Sequence, residues 1–222
     1  MRRSLPLLLV PLLFAPAACA KATNGSHPGG PVTPTSIPID IGPSAKVAGN
    51  TMPTGIAVNG KELVLYILVF GNRPQLDAAV RDTATGKVDP NGEGLCTGGT
   101  GSDDQNPFFG LHQCVATDGS LIEYGAYKGA VSRITSQADG TSTDATFARW
   151  TDTPAGSAPA QAPVVVFWLQ RHGKPAPSSV AVEGKTSPLP AAQYPRITVY
   201  SPNGKAVASA NLRPGITEQQ SV

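Results

Sequence analysis

Four Asx-Gly dipeptides set the strongest limit on what this chain can fold into. Asn59-Gly60 separates Ile56-Ala57-Val58 from the apolar run 63–70, and Asp118-Gly119 separates residues 113–116 from 120–124. Asp139-Gly140 lies between 131–135 and 143–147, and Asn203-Gly204 between 196–200 and 205–208. Both dipeptides accept the positive φ angles that tight hairpin turns need, and the β-branched or alternating residues beside them suit a pleated surface. The pattern predicts antiparallel hairpins. The run 164–169 (Val-Val-Val-Phe-Trp-Leu) is short, apolar and β-branched, which predicts a buried central strand.

Helix has little room. Pro and Gly, 22 and 24 residues, interrupt almost every window, and a short helix is expected only near 74–80. The expected fold class is all-β: an antiparallel β-sandwich of about seven to nine strands built from hairpins, or a partly open barrel, with no long helix. Hydrophobic residues make up 40%, enough for a core, while charged residues are only 14% against the usual quarter.

The first residues have the order of a secretory signal. Arg2-Arg3 is followed by an uncharged run, 5–17, and then by the small residues of Ala18-Cys19-Ala20. That run has 13 residues, short of the roughly 20 a helix needs to cross hydrocarbon, and it holds Pro6, Pro11 and Pro16. Pro16-Ala17-Ala18-Cys19 resembles the lipobox of bacterial lipoproteins. The resemblance implies that Cys19 is thioether-linked to diacylglycerol and becomes the new N-terminus. Pro16 departs from the pattern, which has an aliphatic residue there. The alternative is an A-x-A site with cleavage before Lys21 and free secretion. Residues 21–50, rich in Gly, Pro, Ser and Thr, read as a tether, with a short strand around 37–41 that docks onto the body. The Ala-, Gly-, Pro- and Thr-rich style resembles exported proteins of actinobacteria. The expected organisation is a signal at 1–18, a disordered tether at 19–50, one domain at 51–212 and a flexible tail at 213–222.

Of three cysteines, Cys19 is lipidated or removed, leaving Cys96 and Cys114. In an oxidising compartment that pair is expected to form a disulfide, worth about 3 kcal/mol in the chain-entropy model. Of 17 Lys and Arg, two lie in the signal, leaving 15 against 15 Asp and Glu. Zero net charge argues against nucleic acid as a partner.

Chemistry-bearing motifs are sparse. Asp89, Asn91 and Glu93 alternate as calcium ligands do, but Thr100 stands where a bidentate Glu is needed, so a solvated turn-rich loop is the expectation. There is no H-E-x-x-H, no G-x-S-x-G elbow and no P-loop Lys after the Gly-rich 98–102. No cofactor is expected. Phe108-Phe109 is a candidate exposed binding loop, because neighbours on a strand face opposite sides; the preferred arrangement is a plug with both rings folded over the end of the sandwich. Arg171, His172 and Lys174 read as a solvated basic strand end. The expected function is an exported, lipid-anchored, non-catalytic β domain that binds an envelope protein or a small ligand. The alternatives are a secreted hydrolase or transferase whose site forms only in the fold, and an extracytoplasmic regulator or sensor that partners a membrane protein.

Overall fold

The computed structural model describes residues 29–33, 37, 39, 47–58, 60–70, 73–90, 106–116, 118–151, 163–173, 180–182, 185–187 and 194–212. These form β1 (Gly30–Pro31), β2 (Val47–Val58), β3 (Lys61–Phe70), β4 (Arg73–Arg81), β5 (Val88–Asp89), β6 (Phe108–Val115), β7 (Leu121–Lys128) and β8 (Arg133–Ala138). Beyond them lie β9 (Thr141–Asp144), β10 (Thr146–Trp150), β11 (Val164–Arg171), β12 (Val180–Val182), β13 (Lys185–Ser187), β14 (Arg196–Tyr200) and β15 (Ala206–Asn211). The chain is all-β, as its turn chemistry requires. The fifteen strands among the described residues exceed the seven to nine expected: β1, β5, β12 and β13 have only two or three residues, and the other eleven are spread over three main sheets rather than two.

The four Asx-Gly dipeptides singled out above each lie between two paired strands. At the tightest, Ala138 pairs directly with Thr141, and Asp139 and Gly140 both take positive φ (51° and 73°), as a type I′ turn demands. Val58 pairs with Lys61, the Ala116 N–H donates to the Ser120 carbonyl, and the Ser201 N–H donates to the Lys205 carbonyl. Two expectations fail locally. Residues 74–80 are strand β4 rather than helix, because β3 pairs with them from Glu62↔Arg81 to Phe70↔Arg73 and their alternation buries Leu76 and Ala78. Residues 143–147 are not one strand: the chain leaves β9 at Asp144, turns at Ala145 and enters a different sheet as β10.

The main sheets have the orders β1-β10-β11-β7-β6, β15-β14-β8-β9 and β2-β3-β4-β5, with β12-β13 a separate ribbon. Their packing follows from β11. Val164, Val166 and Trp168 join Met52, Leu63, Leu65, Ile67 and Leu76 from the β2-β3-β4-β5 sheet in one core. The alternate residues Val165, Phe167 and Leu169 join Ile134, Ile197 and Val199 from the β15-β14-β8-β9 sheet in a second core. The five-stranded sheet is therefore the middle of three layers, which explains why 164–169 is apolar on both faces. Within the middle sheet, Gly125 of β7 leaves room for its cross-strand neighbours: a Cβ there would lie 2.8 Å from Phe167 Cζ of β11 and 2.6 Å from Leu111 Cδ2 of β6.

Part of the expected tether is docked. Gly30 and Pro31 pair in parallel with Thr146 and Phe147, and Val47 already pairs with Leu68. Ile37 does dock, but through hydrogen bonds: its N–H donates to Thr51 Oγ1 (2.7 Å), whose hydroxyl donates to its carbonyl (2.9 Å). Ile39 packs with Val47 and Val88 beside Tyr66, Leu68 and Ala79. The signal 1–18, Cys19 and the tail 213–222 lie outside the described residues.

Candidate functional site

The most concentrated buried chemistry surrounds Glu123. Its strand, β7, turns Ile122 and Tyr124 into one core and Glu123 toward the β15-β14-β8-β9 sheet. A buried carboxylate persists only with compensating charge and hydrogen bonds, and Glu123, fully buried, has both. Oε1 accepts from Arg171 Nε (2.7 Å) and Gln113 Nε2 (2.9 Å), and Oε2 accepts from Ser136 Oγ (2.5 Å). Gln113 and Arg171 come from β6 and β11 of the middle sheet, and Ser136 from β8 of the outer one. The cluster thus ties two layers together. Arg171, 10% exposed, also reaches Asp139 in the β8–β9 turn at 3.9 Å. Its guanidinium has room because Gly173 has no side chain: a Cβ there would stand 2.7 Å from Nη1. Around it, Gln170 Nε2 donates to Ser120 Oγ, which in turn donates to Asp118. With three fixed donors on its carboxylate, Glu123 acts as a clasp.

Sequence reasoning missed this cluster. Its signal was one acidic residue inside an otherwise apolar strand, but the partners stand 10, 13 and 48 positions away. The reading of Arg171 as a solvated strand end is corrected: its charge is used inside. His172 is exposed, and Lys174 lies outside the described residues.

A second group brings together Tyr66, Asp77, Tyr124 and His112. Tyr66 and Asp77 are direct partners across β3–β4, and the His112 and Tyr124 rings lie 5.3 Å apart across β6–β7. Burial raises the Asp77 carboxyl above its ordinary range, against the hydrogen bond from the Ala78 N–H to Oδ1 (2.8 Å). Burial, and then the charge of Asp77, push both phenols well above theirs. Burial lowers His112, so its neutral form is favoured. Burial thus disfavours the charged form of each of these groups.

The residues expected from sequence are scattered. Cys114 is in the core, 5% exposed, while Cys96 lies outside the described residues. Asp89 is half-buried in β5; Asn91, Glu93 and Thr100 lie outside. Among the described residues no group of three or more His, Cys, Asp or Glu could hold a metal ion, and no helix is long and apolar enough to cross a membrane. The candidate exposed loop at Phe108 and Phe109 is corrected, since both rings are buried, at 4% and 3% exposure. They are no end plug either. They begin β6 in the middle sheet, so one faces each core: Phe109 joins the first, and Phe108 joins the second, 5.2 Å from the Tyr127 ring. Trp150 and Trp168 donate their indole N–H groups to the Ala48 and Thr54 carbonyls of β2 (2.8 and 3.1 Å).

No family model matches the chain, and no curated protein or solved structure matches it.

Proposed function

We propose that this chain is an exported cell-envelope lipoprotein: the signal 1–18 is removed, Cys19 carries a lipid, and the β body is held outside the membrane as a non-catalytic binding or interaction domain. The observation that carries the reading is the order Arg2-Arg3, uncharged run, small residues and Cys19. The body is consistent with display. Among the described residues, the one fully buried carboxylate, Glu123, is spent on holding layers together, and aromatics such as Phe108, Phe109, Phe167 and Trp168 fill cores. The first docked residues follow Cys19 closely: the ten steps from Cys19 to Gly29 reach at most about 35 Å when extended. A body anchored this way stays near the membrane surface, where an envelope protein or a small ligand meets it. A Cys96–Cys114 disulfide belongs to the same reading. The two thiols are the pair left over in an oxidising compartment, and Cys114 is buried.

Replacing Cys19 with Ser and fractionating the producing cells tests the anchor. The natural chain is expected in the membrane fraction and the Cys19→Ser chain outside it; unchanged membrane retention overturns the proposal.

A further inference from the structure

An open sheet edge offers unpaired N–H and C=O groups to any extended strand, and folded proteins guard such edges with short strands, Pro, charges, bulges or cover. Three stacked sheets have six edges, and five here are guarded. β1 and β5 are two residues long, and Pro31 has no N–H to offer. β2 contains Pro53 and two breaks of register, and Trp150 and Trp168 cap two of its carbonyls. β6 is broken by a bulge between Phe109 and His112, and Asn106 Oδ1 caps its Phe108 N–H. β9 has four residues, and its charged end, Asp144, is paired with Arg133 and packed on by Gly29.

β15 is the least guarded. Its one break of register, where Ala206 and Ala208 face Tyr200 and Val199, touches only the start of the strand, and its six residues, Ala-Val-Ala-Ser-Ala-Asn, include no charge, no Pro and no Gly. Its register with β14 shows which groups are open. The Leu212 N–H donates to the Pro195 carbonyl, so Ala210 and Ala208 bond to Ile197 and Val199, while Ser209 and Asn211 direct their N–H and C=O groups away from β14. Among the described residues nothing pairs with that side of β15. Ala208 and Ala210 also form a half-buried margin of the second core, which stops at this edge.

The geometry points to β15 as a self-association edge that pairs antiparallel with β15 of a second copy, joining two four-stranded sheets into one of eight. An isologous contact sets each residue against the same strand of the partner. A strand without charge sets no charge of its own against its copy; the nearest is Arg196 of β14, whose Nη2 donates to Ser209 Oγ (2.9 Å). The mature chain has no net charge to keep copies apart. Pairing also places the two Ala208–Ala210 margins side by side and continues the apolar layer beneath. Lys205, exposed in the turn before β15, ends the uncharged stretch. The four regularly registered residues per copy, Ala208–Asn211, make a small contact, below about 1,000 Å², which places the dimer in the weak class.

Sedimentation equilibrium of the full mature chain, with Cys19→Ser to remove the lipid, tests this between about 1 µM and about 1 mM. The weight-average mass is expected to climb from the monomer toward twice that value. Amide exchange at Ser209 and Asn211 should slow as concentration rises, with Ala208 and Ala210 unchanged because they already bond to β14. Val207→Lys, at a position 48% exposed, places on the edge a charge of the kind that guards natural edges, and Ser209→Pro removes an outward N–H. Both should remain monomeric with unchanged circular dichroism. A monomer at every concentration overturns the inference, and so does a dimer that survives both substitutions or protects other amides.

Discussion

Arg171→Met tests whether the Glu123 clasp holds the layers. The substitution keeps most of the stem's bulk and removes the cation 2.7 Å from a fully buried carboxylate. Gln113 and Ser136 still donate to Glu123, but its charge is left uncompensated. Removing one partner of a buried ion pair costs about 3–5 kcal/mol. The exposed Asp139 contact at 3.9 Å belongs to a class worth about 0–1 kcal/mol and changes that little. For a chain of this length each kcal/mol moves the melting midpoint by roughly 2–4 °C, so a fall of about 6–20 °C is expected. Urea unfolding should show the same loss with an unchanged slope. Glu123→Leu alone also destabilises, by stranding Arg171 together with the Gln113 and Ser136 donors. The double variant Glu123→Leu/Arg171→Met buries no charge, so it should lose clearly less than the two single losses combined. Single variants within about 1 kcal/mol of the natural chain, or strictly additive losses, would refute the reasoning, since both are the behaviour of an exposed pair.

Three further expectations follow from the layers. Asp77 is raised by burial, so the folded state binds more protons than the unfolded one between the ordinary carboxyl range and its folded pKa, and stability falls as pH rises through that window. Asp77→Asn should therefore stabilise the protein at neutral pH and lose that advantage in acid; pH-dependent melting that moves the other way contradicts the assignment. Gly125→Ala forces a Cβ to within 2.8 Å of Phe167 and 2.6 Å of Leu111 and should cost about 1–3 kcal/mol by chemical denaturation; a neutral result would mean that Phe167 and Leu111 do not close over Gly125. Intact mass with thiol alkylation should find no reactive thiol on Cys96 and Cys114 without reductant and two with it; alkylation of both before reduction rejects the disulfide.

Hairpins were legible because Asx-Gly chemistry and the alternation of side chains are local. The β11 run was also legible, since a run that is apolar at every position, short and rich in β-branched residues fits a strand buried on both faces. What the sequence hid was the neighbour on each face. Phe108 and Phe109 conflict in a two-layer sandwich and fit at once in the middle of three layers. Residues 74–80 looked helical for want of sight of β3, whose pairing decides their conformation. Gly30-Pro31 read as tether because its partner, Thr146-Phe147, lies more than a hundred residues away. The Glu123 cluster was least visible of all: four residues on four strands, none in a motif, meet only when two sheets stack.

The central claim is that Cys19 is the lipid-bearing start of the mature chain. Mass spectrometry of the N-terminal peptide from protein purified out of its native envelope tests it most directly. The account predicts a peptide that begins at Cys19 and carries a thioether-linked diacylglyceryl group. A peptide that begins at Lys21, unmodified, would contradict it and make the protein a freely secreted one.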